Sequence, residues 1–586
     1  MKRQYKILFI LAIMLLPALI ANAQTEGYVH IPAGKRFIQI DGVPVDASGK
    51  IDTALIRTQN DIIWRTIRDD IPNRSIGDGT VYVLKRNHVY IQTNIIQYTA
   101  AAYPFTLHIR GEDGPGRLPL ILHDNPTGGN GSNFLQSNQN TILENFEWDG
   151  QCADGPIANR AVDFRGANTR VIVKGCRFVN DRAGSLTVEA TGNGIKLYVY
   201  DCLLGNSGHF ISQGGNGRAL DIRINAANGP LDTVIFKNCT MYNLTDRIVR
   251  NMNDAIVNYM ELDHNTIINN QGYHGGMQFG NTKVGVITNN IFANPMTFGN
   301  RKARVPGSGN DIRGEQQQAD NDFAIITHNG TNRIPTFETT GVTMRNNNIF
   351  FEKEFLDLFA AHPEMFETPT VRVASDAVRQ YLVGGQAAES AMSFTEVLDF
   401  DYNDGDHLGS VSSYKDMVEV TKAYIKNPGE GEFPYNWSRI YPGEWNAKYS
   451  TSLNSYRAAD GGYPLGDLNW FPSDKADWLT NPTAKSAVKS AAEIPVGIEI
   501  ARAYPNPFLS DSKIDYTLHN DQSVEISIYN YLGQKVKTLM SGNMQQGTYQ
   551  VTWDGKDNNG NTQPVGVYQF VIKGSTGQVS AKLMKN

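Results

Sequence analysis

Cysteine, long apolar runs and clusters of positive charge are all scarce in this 586-residue sequence. Its four cysteines, Cys152, Cys176, Cys202 and Cys239, include no C-x-x-C pair, which argues against a zinc site. No block of Lys and Arg follows the N-terminus and the formal net charge is −6, so nucleic acid is not an expected partner. A second long apolar run is also absent, and we expect no transmembrane segment in the mature chain.

The N-terminus has the three parts of a secretory signal peptide. Lys2, Arg3 and Lys6 precede an apolar stretch over residues 7–20, and Ala21-Asn22-Ala23 follows as a small-x-small cleavage site. The apolar stretch is shorter than the ~20 residues that a membrane-spanning helix needs. The sequence therefore predicts a signal peptide over residues 1–23 and export through the periplasm. We expect the mature protein to be secreted or held at the outer cell surface.

The middle of the chain repeats a short unit, apolar-x-apolar-x-x-(Cys or Asn)-x-apolar. The copies centre on Cys176, Cys202, Cys239, Asn265, Asn289 and Asn347, with steps between 24 and 58 residues. Short alternating strands followed by polar bends are typical of stacked coils, because one coil cannot bury its apolar face alone. We expect the cysteines to pack at an inward bend rather than form disulfides. The predicted buried column consists of Val173, Val199, Phe236, Leu262 and Val286.

This pattern resembles the right-handed parallel β-helix of the pectate-lyase-like superfamily, and the resemblance covers residues 79–350. It implies an all-β fold, in which residues 24–78 form an N-terminal cap and residues 351–480 a capping and wrap-back region. Amphipathic helices are predicted over residues 352–361 and 415–425. Residues 458–472 look like a tail that packs back along the coils. Residues 481–496 have the composition of a linker, rich in Ala, Ser, Lys and Pro.

The C-terminal region, residues 497–586, alternates apolar and polar residues in short runs separated by turn clusters. This spacing predicts a small all-β sandwich. Four ordered segments read AYPNPF (503–508), IYNYLGQ (528–534), WDGKDNNG (553–560) and GVY (566–568). They resemble the type A sorting domain of type IX secretion and its relative, the Ig-like domain of the flagellar hook-capping protein. The resemblance implies that the type IX secretion machinery is a partner.

The resemblance to the β-helix superfamily also indicates which chemistry to look for. Polysaccharide lyases on this fold use an Arg or Lys base, often with calcium as the cofactor, and glycoside hydrolases on it use two or three carboxylates. Both chemistries need charged groups on outward faces of neighbouring coils. The catalytic candidates are Arg247, Arg250, Asp254 and His274. The candidates for substrate binding are Asp246, Asp263, His264 and Arg304.

Each of these residues also has a purely structural interpretation. The arginines can form ion pairs with the neighbouring aspartates, Asp254 can cap a turn, and His264 can complete a bend. The Trp-x-Asp-His pattern of pectate lyases is absent, since residues 262–264 read Leu-Asp-His. This departure argues against pectate lyase activity in particular.

Three functions remain open: cleavage of an acidic polysaccharide, binding of a polysaccharide without cleavage, and a structural or adhesive role. The steps from Cys202 to Cys239 and from Asn289 to Asn347 exceed one coil, so they contain insertions. Insertions on one side of a stack build a groove. A groove favours interaction with polysaccharide over a bare stalk, but the sequence leaves cleavage and binding equally open.

Overall fold

The computed structural model describes residues 36–45, 52–101, 103–114, 116–124, 133–150, 158–208, 217–224, 228–251, 255–270, 272, 276–279, 281–297, 325–327, 341–363, 372–383, 389–400, 446–483, 498–504, 508–518, 521–530, 534–574 and 577–585. The chain divides into two compact units, one up to Ala484 and the other from Lys485. Within the described ranges, no helix is both long enough and apolar enough to cross a membrane.

The N-terminal unit is a parallel β-helix, in which successive coils add strands to three long sheets. Among the described residues, sheet 1 contains β1 (Phe37–Ile40), β3 (Val81–Leu84), β6 (Leu107–Gly111), β9 (Thr141–Glu144), β12 (Arg170–Lys174), β15 (Lys196–Tyr200), β18 (Leu231–Lys237), β21 (Ile256–Asp263), β24 (Asn281–Thr288) and β27 (Gly341–Arg345). Sheet 2 contains β2 (Val43–Pro44), β4 (His88–Gln92), β7 (Leu120–His123), β10 (Glu147–Asp149), β13 (Arg177–Val179), β16 (Leu203–Ser207), β19 (Thr240–Leu244), β22 (Thr266–Asn270), β25 (Ile291–Ala293), β28 (Asn347–Phe350) and β29 (Ser393–Phe394). Sheet 3 contains β5 (Ile96–Tyr98), β8 (Leu135–Ser137), β11 (Arg160–Phe164), β14 (Gly184–Val188), β17 (Leu220–Ile222) and β20 (Val249–Asn251). A short pair consists of β23 (Met277–Gln278) and β26 (Ile326–Thr327).

Helices flank the stack of coils. α1 (Thr53–Thr58) and α2 (Ile62–Asp70) precede the coils, and α2 packs Ile63 and Ile67 into the same core as the first strands. α3 (Lys353–Ala361), α4 (Asp376–Arg379) and α5 (Glu389–Met392) follow β28. The helix predicted over residues 352–361 is confirmed as α3, whereas the one predicted over residues 415–425 lies outside the described residues.

The predicted interior column is correct in four coils and wrong in the fifth. Val173, Val199, Phe236 and Leu262 pair in register across sheet 1 and lie in the core. Leu262 then pairs with Ile287, which joins the core, while Val286 lies opposite Glu261 on the outer face. The side chains of a strand alternate between its two faces, so a shift of one residue exchanges inside for outside.

The same shift of one residue applies to the predicted ladder at the bend between sheets 1 and 2. Asn290, not Asn289, continues it: Asn265 donates from its backbone N to Asn290 Oδ1 at 2.9 Å, and Asn290 Nδ2 donates to Asn347 Oδ1 at 3.1 Å. Asn265 Oδ1 in turn accepts from the backbone N of Cys239 at 3.1 Å. The buried amides therefore satisfy one another along the stack.

The residue before each ladder position has a positive φ. These residues are Asn145, Gly175, Asp201, Asn238, His264, Asn289 and Asn346, with φ between 51° and 61°. Gly, Asn and Asp adopt this left-handed conformation most easily, which explains why they dominate the bend. The ladder cysteines Cys176, Cys202 and Cys239 are buried and free, as predicted, and Cys152 lies outside the described residues.

A second asparagine ladder follows the strands of sheet 2 and was not predicted. Asn243 donates to Asn206 at 2.9 Å, Asn269 to Asn243 at 3.1 Å, and Asn294 to Asn269 at 2.9 Å. Asn294 also donates to the carboxylate of Glu352 at 2.6 Å, directly before α3. The two ladders fix the bends on both sides of the later sheet 2 strands, so these coils stack in a single register.

The chain end of this unit packs back along the outer face of sheet 2, as expected for residues 458–472. It includes α6 (Pro472–Thr480) and three 3₁₀ turns at Asn454–Arg457, Asp460–Gly462 and Leu468–Trp470. Its apolar side chains Tyr463, Leu465 and Phe471 share one buried cluster with Tyr242 and Ile268 of the sheet. This segment, residues 446–483, is called the tail below.

A buried carboxylate fastens the tail to sheet 2. Asp467 accepts a hydrogen bond from the Thr240 hydroxyl at 2.7 Å, and its backbone N donates to the Thr266 hydroxyl at 2.9 Å. Gly466 has φ +77°, and a Cβ there would lie 2.4 Å from the Thr266 hydroxyl, so this close approach requires glycine. The tail thereby covers the outer face of sheet 2 from β13 to β28.

The C-terminal unit is the small all-β sandwich that the sequence predicts. One sheet contains β30 (Ile498–Tyr504), β31 (Ser512–Leu518) and β34 (Gly547–Trp553). The other contains β32 (Gln522–Asn530), β33 (Lys535–Met544), β35 (Gly566–Gly574) and β36 (Gly577–Lys585). All pairs are antiparallel, and the core between the sheets includes Phe508, Trp553 and Phe570.

The ladder makes a prediction about stability. Asn290→Ala removes the amide that bridges Asn265 and Asn347 and leaves buried groups unpaired, at about 1–3 kcal/mol for each. We expect the free energy of unfolding, measured by urea denaturation with circular dichroism, to fall by about 3 kcal/mol. The control Asn258→Ala removes a half-exposed asparagine of β21 and should change it by less than about 0.5 kcal/mol. Equal effects would contradict the ladder's role.

Candidate functional site

The outer faces of the three sheets differ in character. The tail covers sheet 2, and the outer face of sheet 1 carries an apolar strip of Ile172, Tyr198, Tyr200 and Ile235. On sheet 3, the outer face carries several arginines paired with a smaller number of carboxylates. Sheet 3 is therefore the candidate face for an anionic ligand.

A column of polar side chains runs in register along the outer face of sheet 3. It consists of Gln97, Gln136, Asp163, Thr187, Asp221 and Arg250. The neighbours of each member point the other way, as Val162 and Phe164 do when they enter the core on either side of Asp163. At a strand spacing of about 4.8 Å, the column spans roughly 24 Å.

Ion pairs join one end of this column to the bend before β20, in a group called the Arg250 cluster. Its members are Arg218, Asp221, Asp246, Arg247 and Arg250. Asp246 accepts from Arg218 Nε at 2.8 Å and from Arg247 at 3.1 Å. Arg250 donates to Asp221 at 3.3 Å, and Arg218 lies 3.5 Å from the same carboxylate. Four members are buried, while the Arg250 side chain keeps 17% of its surface exposed.

Local backbone geometry brings Arg218 into this cluster. Gly217, directly before it, has φ +106°, and a Cβ there would lie 2.1 Å from the carbonyl oxygen of Ser207 and 2.5 Å from the Thr245 hydroxyl. Only glycine allows so close an approach to the neighbouring coils. The arginine that follows is thereby placed beside Asp246 on the next coil.

A second group of ion pairs, called the Arg160 cluster, lies further along the same face. Its members are Arg160, Asp163, Arg165, Glu189 and Arg223. Arg160 lies 3.6 Å from Asp163 and 3.0 Å from Glu189, and Arg165 and Arg223 complete the pairs at 3.2 and 3.1 Å. The side chains of Arg165 and Arg223 are 36% and 39% exposed, so both guanidinium groups reach solvent.

Among the described residues of the two clusters, arginines outnumber carboxylates. The two clusters contain six arginines and four carboxylates, in a chain whose formal net charge is −6. Burial lowers the pKa of Arg247 to about 10, and the charges of Arg218 and Arg250 act in the same direction. Burial also lowers the pKa of Arg250, again with help from Arg218. An anionic ligand would relieve this crowding of positive charge.

The structure brings together only part of the predicted site. Asp246, Arg247 and Arg250 lie in one cluster, whereas Asp254, His274 and Arg304 lie outside the described residues. Asp263 and His264 were expected to join the arginines, and this expectation is wrong because they lie at the end of β21 in sheet 1. One coil passes through all three sheets, so residues thirteen or fourteen positions after Arg250 reach a different face.

Sequence reasoning missed Arg218, Asp221 and the whole Arg160 cluster. A short internal repeat could have revealed them, since residues 160–163 read Arg-Ala-Val-Asp and residues 218–221 read Arg-Ala-Leu-Asp. The first and last residues of each copy form an ion pair, at 3.6 and 3.5 Å. Two strands of the same sheet, two coils apart, thus present the same pair outward.

The carboxylates that the structure describes on this face do not form a calcium site. Calcium requires six to eight oxygen ligands, and here the carboxylates are already paired with guanidinium groups. Across the part of the chain that the structure describes, no group of three or more His, Cys, Asp and Glu side chains could hold a metal ion. The chemistry of the face is therefore that of its arginines.

The clusters predict a difference between buried and half-exposed arginines. Arg218→Ala removes a partner of buried Asp246, and breaking a buried ion pair in this way lowers the free energy of unfolding by about 3–5 kcal/mol. Arg250→Ala should lower it by only about 1 kcal/mol, because this side chain is partly exposed. Urea denaturation followed by circular dichroism measures both. If the two variants were equally unstable, Arg250 would be a structural residue like Arg218.

Residues 510–578 match the family model of the FlgD Ig-like domain. No curated protein matches the chain. A crystal structure of dimeric latent PorU from Porphyromonas gingivalis is similar at 17% identity over 16% of this chain, with a TM-score of 0.14. The aligned part spans 10% of that protein's own length, and a match at this TM-score carries no structural argument. The C-terminal sandwich is therefore similar to the FlgD Ig-like domain, and the β-helix stands on its own geometry.

Proposed function

We propose that this protein binds an acidic polysaccharide along the outer face of sheet 3. The observation that carries the proposal is the excess of arginine in two ion-pair clusters along one column of polar side chains. A guanidinium group binds a carboxylate through two parallel hydrogen bonds, which makes arginine well suited to a uronic acid. The buried members of the column hold a row of exposed guanidinium groups, and a linear polymer fits such a row better than a compact ligand does.

Three side chains are placed to contact such a polymer. Among the cluster arginines, the side chains with the largest exposed fractions are those of Arg165, Arg223 and Arg250. Each of them also forms an ion pair that orients it. The buried arginines, such as Arg218, hold the carboxylates that position these exposed groups. Each exposed guanidinium is therefore preorganised, which lowers the entropy lost when a ligand binds.

Cleavage of the bound polymer by a lyase reaction is the second candidate, and one observation favours it. Burial and the charge of Arg218 lower the pKa of Arg250, which increases the fraction of neutral guanidine, the form that can act as a general base. Arg250 also keeps part of its surface exposed, so a substrate proton could reach it. In this reaction the neutral guanidine of Arg250 would accept the proton next to the uronate carboxylate while the bond to the glycosidic oxygen breaks, and water would protonate the leaving oxygen. Arg223, which follows the neighbouring strand, would hold the carboxylate.

Binding and cleavage can be separated with the full-length protein. Pectins, alginates and glycosaminoglycans serve as probes, with and without added calcium, in an affinity assay and in an absorbance assay for unsaturated uronate. We expect the affinity for the polymer to decrease as the salt concentration rises. In Arg250→Ala the Kd should rise by about tenfold, because one charge-assisted hydrogen bond is lost.

The matched control for this experiment is Arg110→Ala, which removes an arginine of similar exposure on sheet 1. It should leave binding unchanged. Growth of absorbance that vanishes in Arg250→Ala would identify a lyase, and binding without product would identify a binding protein. If no polymer bound and none was cleaved, both candidates would fail and a structural or adhesive role would remain.

We further propose that the protein reaches the outer cell surface by type IX secretion. The signal-peptide pattern of residues 1–23 and the four segments between residues 503 and 568 support this proposal. So does the match of residues 510–578 to the FlgD Ig-like domain, because type A sorting domains resemble that domain. The C-terminal sandwich would then act as the sorting signal.

Deletion of residues 497–586 tests this proposal in the native host. We expect the truncated chain to accumulate inside the cell envelope, because the sorting machinery no longer recognises it. Circular dichroism of the purified truncated protein is the control, and it should retain the β-helix signal because the deletion lies within the second compact unit. Unchanged delivery to the surface would rule out a sorting role for the C-terminal sandwich.

A further inference from the structure

A small cavity lies between the outer face of sheet 1 and the tail, away from the arginine clusters. Its volume is about 110 Å³. The sheet contributes Glu261, Asp263, His264, Val286, Thr288, Asn289, Thr343 and Arg345, and the tail contributes Asp460, Trp478 and Pro482. The deep residues are buried, whereas Arg345 and Asp460 are 44% and 35% exposed, so these two flank the opening.

The charges in and behind this cavity are paired with one another. Lys237 lies 2.8 Å from Glu261, Arg345 Nε donates to Asp460 at 3.0 Å, and His264 Nδ1 lies 3.2 Å from Asp263. Burial alone would raise the pKa of Asp263, but His264 and Lys237 beside it hold that pKa below its ordinary value. The described residues of the cavity therefore offer no unpaired charge to attract an ion, and the ligand is expected to be neutral and polar.

His264 is the unusual residue at this position. It occupies the left-handed bend that Gly, Asn or Asp fills on the other stacked coils, with φ +53°. It is 1% exposed, and its Nε2 has no hydrogen-bond partner among the described residues. An unsatisfied buried polar group costs about 1–3 kcal/mol, so a ligand hydroxyl that meets Nε2 would be strongly favoured.

The other walls of the cavity suit a sugar. The Trp478 ring stands 5.3 Å from the His264 ring and supplies an apolar wall of the kind that packs against sugar C–H groups. Asp263 is held by the Thr288 hydroxyl and the Asn289 amide, both at 2.8 Å, and an ionised carboxylate has further capacity to accept from hydroxyl groups. Hydroxyl acceptors, an unsatisfied imidazole and an aromatic wall converge on one small space.

We propose that this cavity binds one neutral sugar residue, at the end or on a branch of a glycan. The volume is well below the roughly 300–1,000 Å³ of pockets that enclose a whole small molecule. One edge of the sugar ring, or its hydroxymethyl arm, enters the cavity beside Trp478 and His264, and the rest of the residue stays outside, next to the Arg345–Asp460 pair. The proposal does not depend on binding of an acidic polymer to sheet 3, because the two faces share no residue.

The full-length protein, titrated with methyl glycosides, tests this proposal. The probes are the methyl glycosides of glucose, mannose and galactose, with sodium glucuronate as the anionic comparison, and ligand-observed NMR measures binding. We expect a neutral glycoside to bind in preference to glucuronate. His264→Asn should raise its Kd by about tenfold, since one hydrogen bond to a buried group is lost. Asn stands at the equivalent bend in four other coils, so this variant should fold.

Two further variants make the result decisive. Thr343→Tyr fills the cavity from its half-exposed wall and should also abolish binding, while Arg250→Ala on sheet 3 should leave the glycoside Kd unchanged. The proposal is overturned if no neutral glycoside binds, if glucuronate binds better, or if His264→Asn and Thr343→Tyr leave the Kd unchanged. Failure of acidic polymers to bind would instead count against the proposed function of sheet 3 alone.

Discussion

The hydrogen bonds between stacked asparagine amides at the bend from sheet 1 to sheet 2 fix the register of the later coils. The ladder consists of Asn265, Asn290 and Asn347. The side-chain oxygen of each accepts a hydrogen bond from the coil before, and each residue donates a hydrogen bond to the coil after. A slip of one residue would turn every core side chain of a strand outward and leave these buried amides unpaired. The positive φ of the preceding residue makes each bend short enough for this stacking. This register also determines which side chains lie on the outer faces of the sheets.

Register then decides which face is available to a ligand. Sheet 2 turns an apolar face outward, and the tail covers it through packing and through the buried carboxylate of Asp467. Sheet 3 turns a polar column outward, where buried arginines such as Arg218 hold the carboxylates that orient Arg250. A buried ion pair adds little net stability compared with apolar packing, so the buried pairs on sheet 3 are better explained by the position they give to exposed charge.

The tail also creates the cavity on sheet 1. Trp478 and Asp460 come from a segment about two hundred residues after Glu261 and His264, and they close a space that the sheet alone would leave open. His264 lies at a bend position and also lines the cavity. Most coils place Asn, Asp or Gly at that bend, whereas the His264 imidazole is buried there and has no hydrogen-bond partner for Nε2 among the described residues.

The alternation of apolar residues and the spacing of Cys and Asn determined the stacked coils, the inward bend and four members of the core column. These features depend on residues that are close together in the sequence, so a local sequence pattern is enough to predict them. Tertiary structure alone decided the rest. Val286 and Asn289 were misplaced by one residue, because the length of the bend and not the strand pattern sets the phase of β24. Asp263 was assigned to the wrong face, because the path of a coil through three sheets determines which charged residues meet.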